Sequence, residues 1–244
     1  FRAIEGRDEL DATTTEMQEM VAEKKEIVVG VPREFFATGL DKNVEQIIRD
    51  SFKKVEGASF RFQDISLPNS SYALACYYVI MPAEVSSNLS RFDGVRYGTR
   101  ADADSLFDMY ARTRSGGFGA EVKRRIAVGT YVLSHGYYDA YYLQAQKVRT
   151  LIENDFASAF ASVDVIATPT TPSTAFRFGE KTADPLSMYL EDIYTVPVNL
   201  AGLPALSLPV GKVGGLPVGL QLIGKRFGDY ALLDIAKRFE AAIA

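Results

Sequence analysis

A chain with one His and one Cys offers few places for side-chain chemistry. His135 is the sole imidazole that could serve a Ser-His-Asp or Cys-His arrangement. It falls at a predicted helix start beside Gly136 with no identifiable partner, and reads as structural or exposed rather than as a base. Cys76 lies in an apolar stretch and reads as a small buried hydrophobe rather than a nucleophile. A zinc site built from several His and Cys ligands is excluded. Gly116-Gly117-Phe118-Gly119 precedes a helical pattern starting at Glu121 and could offer backbone amides to an anion; a flexible entry to the helix is the plainer reading. Glu191 and Asp192 are adjacent acids, and neighbours on a helix point in different directions, so their spacing alone makes no acid/base dyad. Lys123-Arg124-Arg125 is a basic run on a predicted helix. Three consecutive helical residues sweep about 200°, so one of the three must point away from the solvated face. No Walker loop, G-x-S-x-G elbow or complete G-x-G-x-x-G is present.

The elements that would position these residues follow from periodicity. Glu26 to Pro32 is a β-branched run closed by Pro32, a buried strand. From Asp41, a capping residue, Val44, Ile47, Ile48, Phe52 and Val55 share one helical face, and Gly57 supplies the stop. Ser59 to Leu67 alternates as a second strand, and the β-α-β order predicts an α/β layer. Residues 69–161 read as mostly helical, with a kink or break expected at Pro82 inside an apolar stretch. The tyrosines between Ser134 and Ala161 are expected to pack their ring faces on the core with hydroxyls outward. Val163 to Thr168, Ala205 to Val210 and Val218 to Ile223 read as further strands, the last two joined as a hairpin around Gly211 to Gly215. Asp229 is expected to cap a final amphipathic helix, and Thr13 to Lys25 to form a short helix or lead-in. No low-complexity linker divides the chain, so it reads as one domain or part of one.

The composition sets the class. With 244 residues, 47% hydrophobic and 24% charged, the chain is an ordinary globular protein rather than a collagenous, disulfide-stapled or disordered one. A net charge of −4 gives no general nucleic-acid footprint. No apolar run is long enough to span a membrane, no signal peptide is evident, and a cytoplasmic location is expected. The chain opens on Phe1 rather than Met, which suggests an excised fragment, with tag removal or processing as the alternatives.

Several stretches resemble the amidase-signature family, and within it most closely the A subunits of glutamyl-tRNA(Gln) amidotransferases. They are Tyr77-Tyr78-Val-Ile, Ala83-Glu-Val-Ser-Ser-Asn-Leu-Ser-Arg-Phe-Asp-Gly-Val-Arg-Tyr-Gly98, Gly119-Ala-Glu-Val-Lys-Arg-Arg-Ile126, Gly136-Tyr-Tyr-Asp-Ala-Tyr-Tyr142, Pro197-Val-Asn-Leu-Ala-Gly-Leu-Pro204 and Gly215-Leu-Pro-Val-Gly-Leu-Gln-Leu-Ile-Gly224. The resemblance implies an α/β fold, a mixed twisted sheet covered by helices on both faces, with residues 1–244 forming the C-terminal part of a single amidase domain. The family acts through a Lys, a bridging Ser and a Ser nucleophile in a Gly/Ser-rich signature. No Gly-Gly-Ser-Ser-Gly stretch occurs here, so no catalytic residue is assigned. By position, Arg125 matches the residue that holds a substrate α-carboxylate, Asp192 the acid that meets the α-ammonium, and Tyr77 a substrate-contacting tyrosine.

The function implied is glutamine hydrolysis, with ammonia passed to a B subunit that uses ATP and magnesium to convert Glu-tRNA(Gln) to Gln-tRNA(Gln). A C subunit would clamp the other two together. Cofactors are expected at the B subunit and none in this chain; charged tRNA would be met only through the B subunit. The fragment alone is expected to be inactive and to self-associate through uncovered strands. The alternatives are a fragment of another amidase-signature amide hydrolase, which would not need the Arg125/Asp192 pair, and a catalytically inert module that docks partners.

Overall fold

A computed structural model describes all residues except 4, 15–23, 37–38, 58, 182–184 and 244. Of the stretch Thr13 to Lys25, expected as a short helix or lead-in, residues 15–23, with Met17, Met20 and Val21, lie outside the described residues. In chain order the elements are β1 (Ile27–Pro32), α1 (Lys42–Val55), β2 (Phe60–Ile65), α2 (Ala73–Leu89), α3 (Leu106–Gly117), α4 (Ala120–Val132), α5 (Gln144–Ala159), β3 (Val165–Pro169), α6 (Pro185–Tyr189), α7 (Val196–Ala201), β4 (Ala205–Val213), β5 (Leu216–Ile223) and α8 (Asp229–Ile243). They fall into two compact units: Phe1–Ser71 with Ile152–Ala244, and Tyr72–Leu151.

The first unit is built on a five-stranded mixed sheet in the order β2-β1-β3-β5-β4. β1 pairs parallel with β2 from Ile27↔Phe60 and with β3 at Val29↔Val165, while β3 and β4 both run antiparallel to β5. The continuous apolar runs of β1 and β3 are those of strands covered on both faces. Val29, Val165, Ile166 and Ala167 are fully buried. Asp41 caps α1 as expected, its carboxylate accepting from the N–H groups of Asn43 and Val44. Val44, Ile48, Phe52 and Val55 face the core. Helix α1 crosses the sheet so closely that a Cβ on Gly211 would lie 2.6 Å from Ile47 Cγ2. The register of β4 shifts there, between Pro209 and Gly211. The β4–β5 hairpin closes on Gly214 and Gly215, both at positive φ, the backbone a tight two-residue turn demands. Asp229 is the first residue of α8 rather than its cap.

The second unit is helical. Of the kink or break expected at Pro82, a break is absent: helix α2 runs from Ala73 to Leu89 through Pro82. Pro82 lacks only the N–H that would bond the Tyr78 carbonyl. The turn around Pro82 is also where α4 packs. A Cβ on Gly129 of α4 would fall 1.9 Å from the Pro82 carbonyl oxygen, so only glycine lets the two backbones approach this closely. The tyrosine stripe departs from expectation. Residues 138–143 form a π-helical turn leading into α5. Tyr137, Tyr138 and Tyr141 are 41%, 40% and 43% exposed. Tyr137 and Tyr141 stack against each other and against Tyr131, and Tyr138 against Tyr142, instead of covering a core. The Tyr131 hydroxyl, hydrogen-bonded to Tyr137, is pushed up to about 12.

Candidate functional site

Within the helical unit, Arg125 of α4 lies against α2, the helix that also carries Tyr77. The α2–α4 packing around Gly129 turns Arg125, one turn earlier on α4, toward α2. Its Nε donates to Glu121 Oε1 at 2.9 Å, and its Nη1 lies 3.4 Å from Met81 Sδ. Burial opposes the charged guanidinium. The hydrogen bond and charge of Glu121, with contributions from Tyr78 and Tyr77, outweigh it and hold the Arg125 pKa above its ordinary value. Tyr77 and Tyr78 meet edge to face, centroids 5.2 Å apart. Of the basic run, Lys123 and Arg124 are exposed and Arg125 is half-buried, so one of the three does leave the solvated face. Lys123 bonds the Ser115 carbonyl, and Arg124 pairs with Glu121.

This arrangement suits a planar anion. The Arg125 side chain is braced at Nε by a carboxylate one turn away, while Nη1 faces a thioether, a weak acceptor. A substrate carboxylate offers that donor a far stronger partner, with bidentate geometry available to a guanidinium. Glu121 and Met81 carry this reading and were not singled out in the sequence. The Glu121–Arg125 spacing of i to i+4 was the available signal.

Asp192 belongs to the sheet-bearing unit. It ends a 3-10 turn, Leu190–Asp192, just before α7. Its carbonyl accepts from the Thr195 N–H at 3.1 Å and the Thr195 hydroxyl at 3.2 Å. Two residues on, the Tyr194 carbonyl accepts from Gln221 Nε2 at 3.0 Å, and the same amide donates to Thr168 Oγ1 at 2.8 Å. Gln221 is 4% exposed on β5 and Thr168 fully buried on β3, so the stretch after Asp192 is tied to the sheet. Tyr194 stacks on Phe35. Upstream, Lys181 is paired with Glu191.

The remaining candidates stay outside the site. His135 lies exposed in the turn between α4 and the π-helical turn, not at a helix start. Gly116 and Gly117 are the last residues of α3 rather than a loop, and Gly119 is the N-cap of α4 with no side chain to add. Cys76 is buried, its Sγ 3.2 Å from the Ala145 carbonyl, and burial pushes the thiol up to about 11. At pH 8 only about a thousandth of such a thiol is ionised. An aromatic disulfide reagent is therefore expected to react with Cys76 at least about a hundredfold more slowly in the native protein than in guanidinium chloride; equal rates would contradict the burial. Among the described residues no His/Cys/Asp/Glu group is arranged to hold a metal ion, and no helix is long and apolar enough to cross a membrane.

Comparison with known proteins agrees with this architecture. The amidase family profile matches residues 1–233. The chain is 60% identical over 215 residues to the A subunit of glutamyl-tRNA(Gln) amidotransferase from Dechloromonas aromatica, covering 88% of this chain and 44% of that protein. It is 53% identical over 246 residues to the protein of the same name from Moorella thermoacetica, covering 98% and 50%. Among solved structures, the glutamyl-tRNA(Gln) amidotransferase A subunit from Thermotoga maritima superposes with a TM-score of 0.71 at 38% identity, over 98% of this chain and 47% of that one. A crystal structure of an amidase at 21% identity superposes with a TM-score of 0.72 over 92% of this chain and 48% of that one, a likeness of fold. The chain spans about half the length of the curated relatives it matches. Its mixed five-stranded sheet flanked by helices is the arrangement of these neighbours, and with the profile running through almost its whole length, the chain belongs to the amidase-signature family.

Proposed function

We propose that this chain is the C-terminal part of a single amidase domain in the glutaminase component of a tRNA-dependent amidotransferase. It recognises the amino-acid end of glutamine: Arg125 holds the α-carboxylate, Tyr77 contacts the substrate, and Asp192 meets the α-ammonium. The Ser/Ser/Lys set that attacks the side-chain amide lies outside this chain. Ammonia then passes to a B subunit, where ATP and magnesium activate Glu-tRNA(Gln), with a C subunit joining the two in the cytoplasm. The observation that carries the reading is the Arg125 guanidinium, half-buried and braced by Glu121, with Nη1 against the Met81 sulfur. A residue that served only as a helix-surface cation would gain nothing from that burial. The amidotransferase relatives support the family role.

The reading predicts that the purified chain releases no ammonia from glutamine above baseline at any concentration, since nothing in its sequence matches the family's serine nucleophile. Reproducible turnover, abolished by a substitution within residues 1–244, would contradict it.

A further inference from the structure

The segment before Asp192 contains a device that glutamine recognition does not itself use. Lys181 Nζ bonds Glu191 Oε1, and the two side chains are only 21% and 15% exposed. The Lys181 ammonium also sits 4.7 Å from the centroid of the Phe176 ring. The partners are ten residues apart in sequence and lie outside any single helical turn, so this is not the surface pair that helix spacing produces. Desolvating two charges costs about what their attraction returns, and apolar residues of the same size would stabilise the contact as well or better. What such a pair supplies instead is one fixed geometry. Glu191 is the residue directly before Asp192 in the same 3-10 turn. Downstream, that turn is held by Thr195 and, through Tyr194, by buried Gln221.

We propose that the Lys181–Glu191 pair is a positioning device for Asp192, fixing the upstream side of the turn whose downstream side is tied to the sheet. The proposal rests on the reading of Asp192 as the ammonium partner. Removing either charge leaves the other largely buried and unpaired, and the turn shifts to hydrate it. Asp192 then meets the substrate ammonium off its proper geometry, and affinity for glutamine falls while the chemistry downstream is untouched.

The test uses the full-length protein assembled with its partners, assayed with glutamine and, separately, with ammonium chloride as nitrogen donor. Lys181→Met and Glu191→Gln are each expected to raise KM for glutamine by at least about tenfold with kcat within about twofold, and to leave the ammonium-driven reaction unchanged. Lys181→Arg, which keeps the charge, should stay within about threefold of the parent KM. The exchange Lys181→Glu with Glu191→Lys should recover most of the lost affinity, and it keeps the test decisive if a single variant fails to fold. An unchanged KM in Lys181→Met, an exchange variant no better than the single ones, or equal loss with both nitrogen donors would overturn the proposal. Asp192→Ala is run alongside. If it raises KM and Lys181→Met does not, the positioning role fails and the ammonium reading stands; if Asp192→Ala leaves KM unchanged, both fall.

Discussion

Glutamine-dependent kcat/KM is expected to fall by well over tenfold when Arg125 or Asp192 is replaced by Ala in the full-length, partner-assembled enzyme, while amide transfer from ammonium chloride persists. Asp192 is exposed and Arg125 half-buried in this chain; where bound glutamine covers them, truncating one partner of the resulting buried charged contact costs about 2–5 kcal/mol, which corresponds to roughly 30-fold to several-thousand-fold in rate at about 1.4 kcal/mol per decade. The folding cost of the same change at Arg125 is far smaller. The Glu121–Arg125 pair is an i,i+4 contact whose side chains are 42% and 31% exposed, and such helix pairs contribute only about 0.3–0.5 kcal/mol. The two magnitudes differ enough for stability and recognition to be separated in one experiment. Arg125→Lys is expected to recover little, because an ammonium cannot make two parallel bonds to a carboxylate. Equal loss with glutamine and with ammonium would place both residues in folding or assembly.

Gly129→Ala should be strongly destabilising, against the ordinary trend for helices. An exposed helical glycine gains up to about 1 kcal/mol on replacement by Ala. At Gly129 the new Cβ would lie 1.9 Å from the Pro82 carbonyl oxygen, 2.4 Å from its carbon and 2.9 Å from Ser86 Cβ. Two of these are backbone atoms that no rotamer change can move, so α4 must shift away from α2. Overpacking of this kind costs about 1–3 kcal/mol or more, which exceeds the propensity gain. A melting temperature lower by several degrees is expected, about 2–4 °C per kcal/mol for a chain of this length. Gly116, near the end of α3, is the control: a Cβ there would meet nothing within 4 Å, so Gly116→Ala should hold or raise stability. A Gly129→Ala protein that melts with the parent would show that α2 and α4 do not pack through this glycine. Because Arg125 rides on α4 one turn from Gly129, the same variant should also weaken glutamine use before it unfolds.

The sheet-bearing unit was largely legible because its signals are local. The apolar runs of β1 and β3, the Asp41 cap and the paired glycines of the β4–β5 hairpin each declare their element within a few residues. The helical unit was harder, since its packing depends on residues far apart in sequence. Pro82 signals a break only until Gly129, 47 positions away, is seen to use that same turn for close packing. The tyrosines from Tyr137 to Tyr142 have helical spacing but stack on each other and on Tyr131, which periodicity cannot distinguish from burial in a core. The basic run required only that one of Lys123, Arg124 and Arg125 leave the solvated face; that it is Arg125, and what it would hold, came from the family resemblance and not from the run. The Lys181–Glu191 pair and the Gln221 tie to Tyr194 left no trace in sequence, because neither follows a helical or strand period.

The central claim is that Arg125 reads the α-carboxylate and Asp192 the α-ammonium, and deletion of each group from the substrate tests it most directly. The full-length assembled enzyme and its Arg125→Ala and Asp192→Ala variants are assayed for ammonia release from glutamine, from 4-aminobutanamide, which lacks the carboxylate, and from glutaramic acid, which lacks the ammonium. In the parent enzyme both analogues should be poor substrates. Arg125→Ala should lose discrimination only between glutamine and 4-aminobutanamide, and Asp192→Ala only between glutamine and glutaramic acid, because each variant has already lost the contact that its analogue removes. Full discrimination against 4-aminobutanamide in Arg125→Ala, or against glutaramic acid in Asp192→Ala, would contradict the assignment.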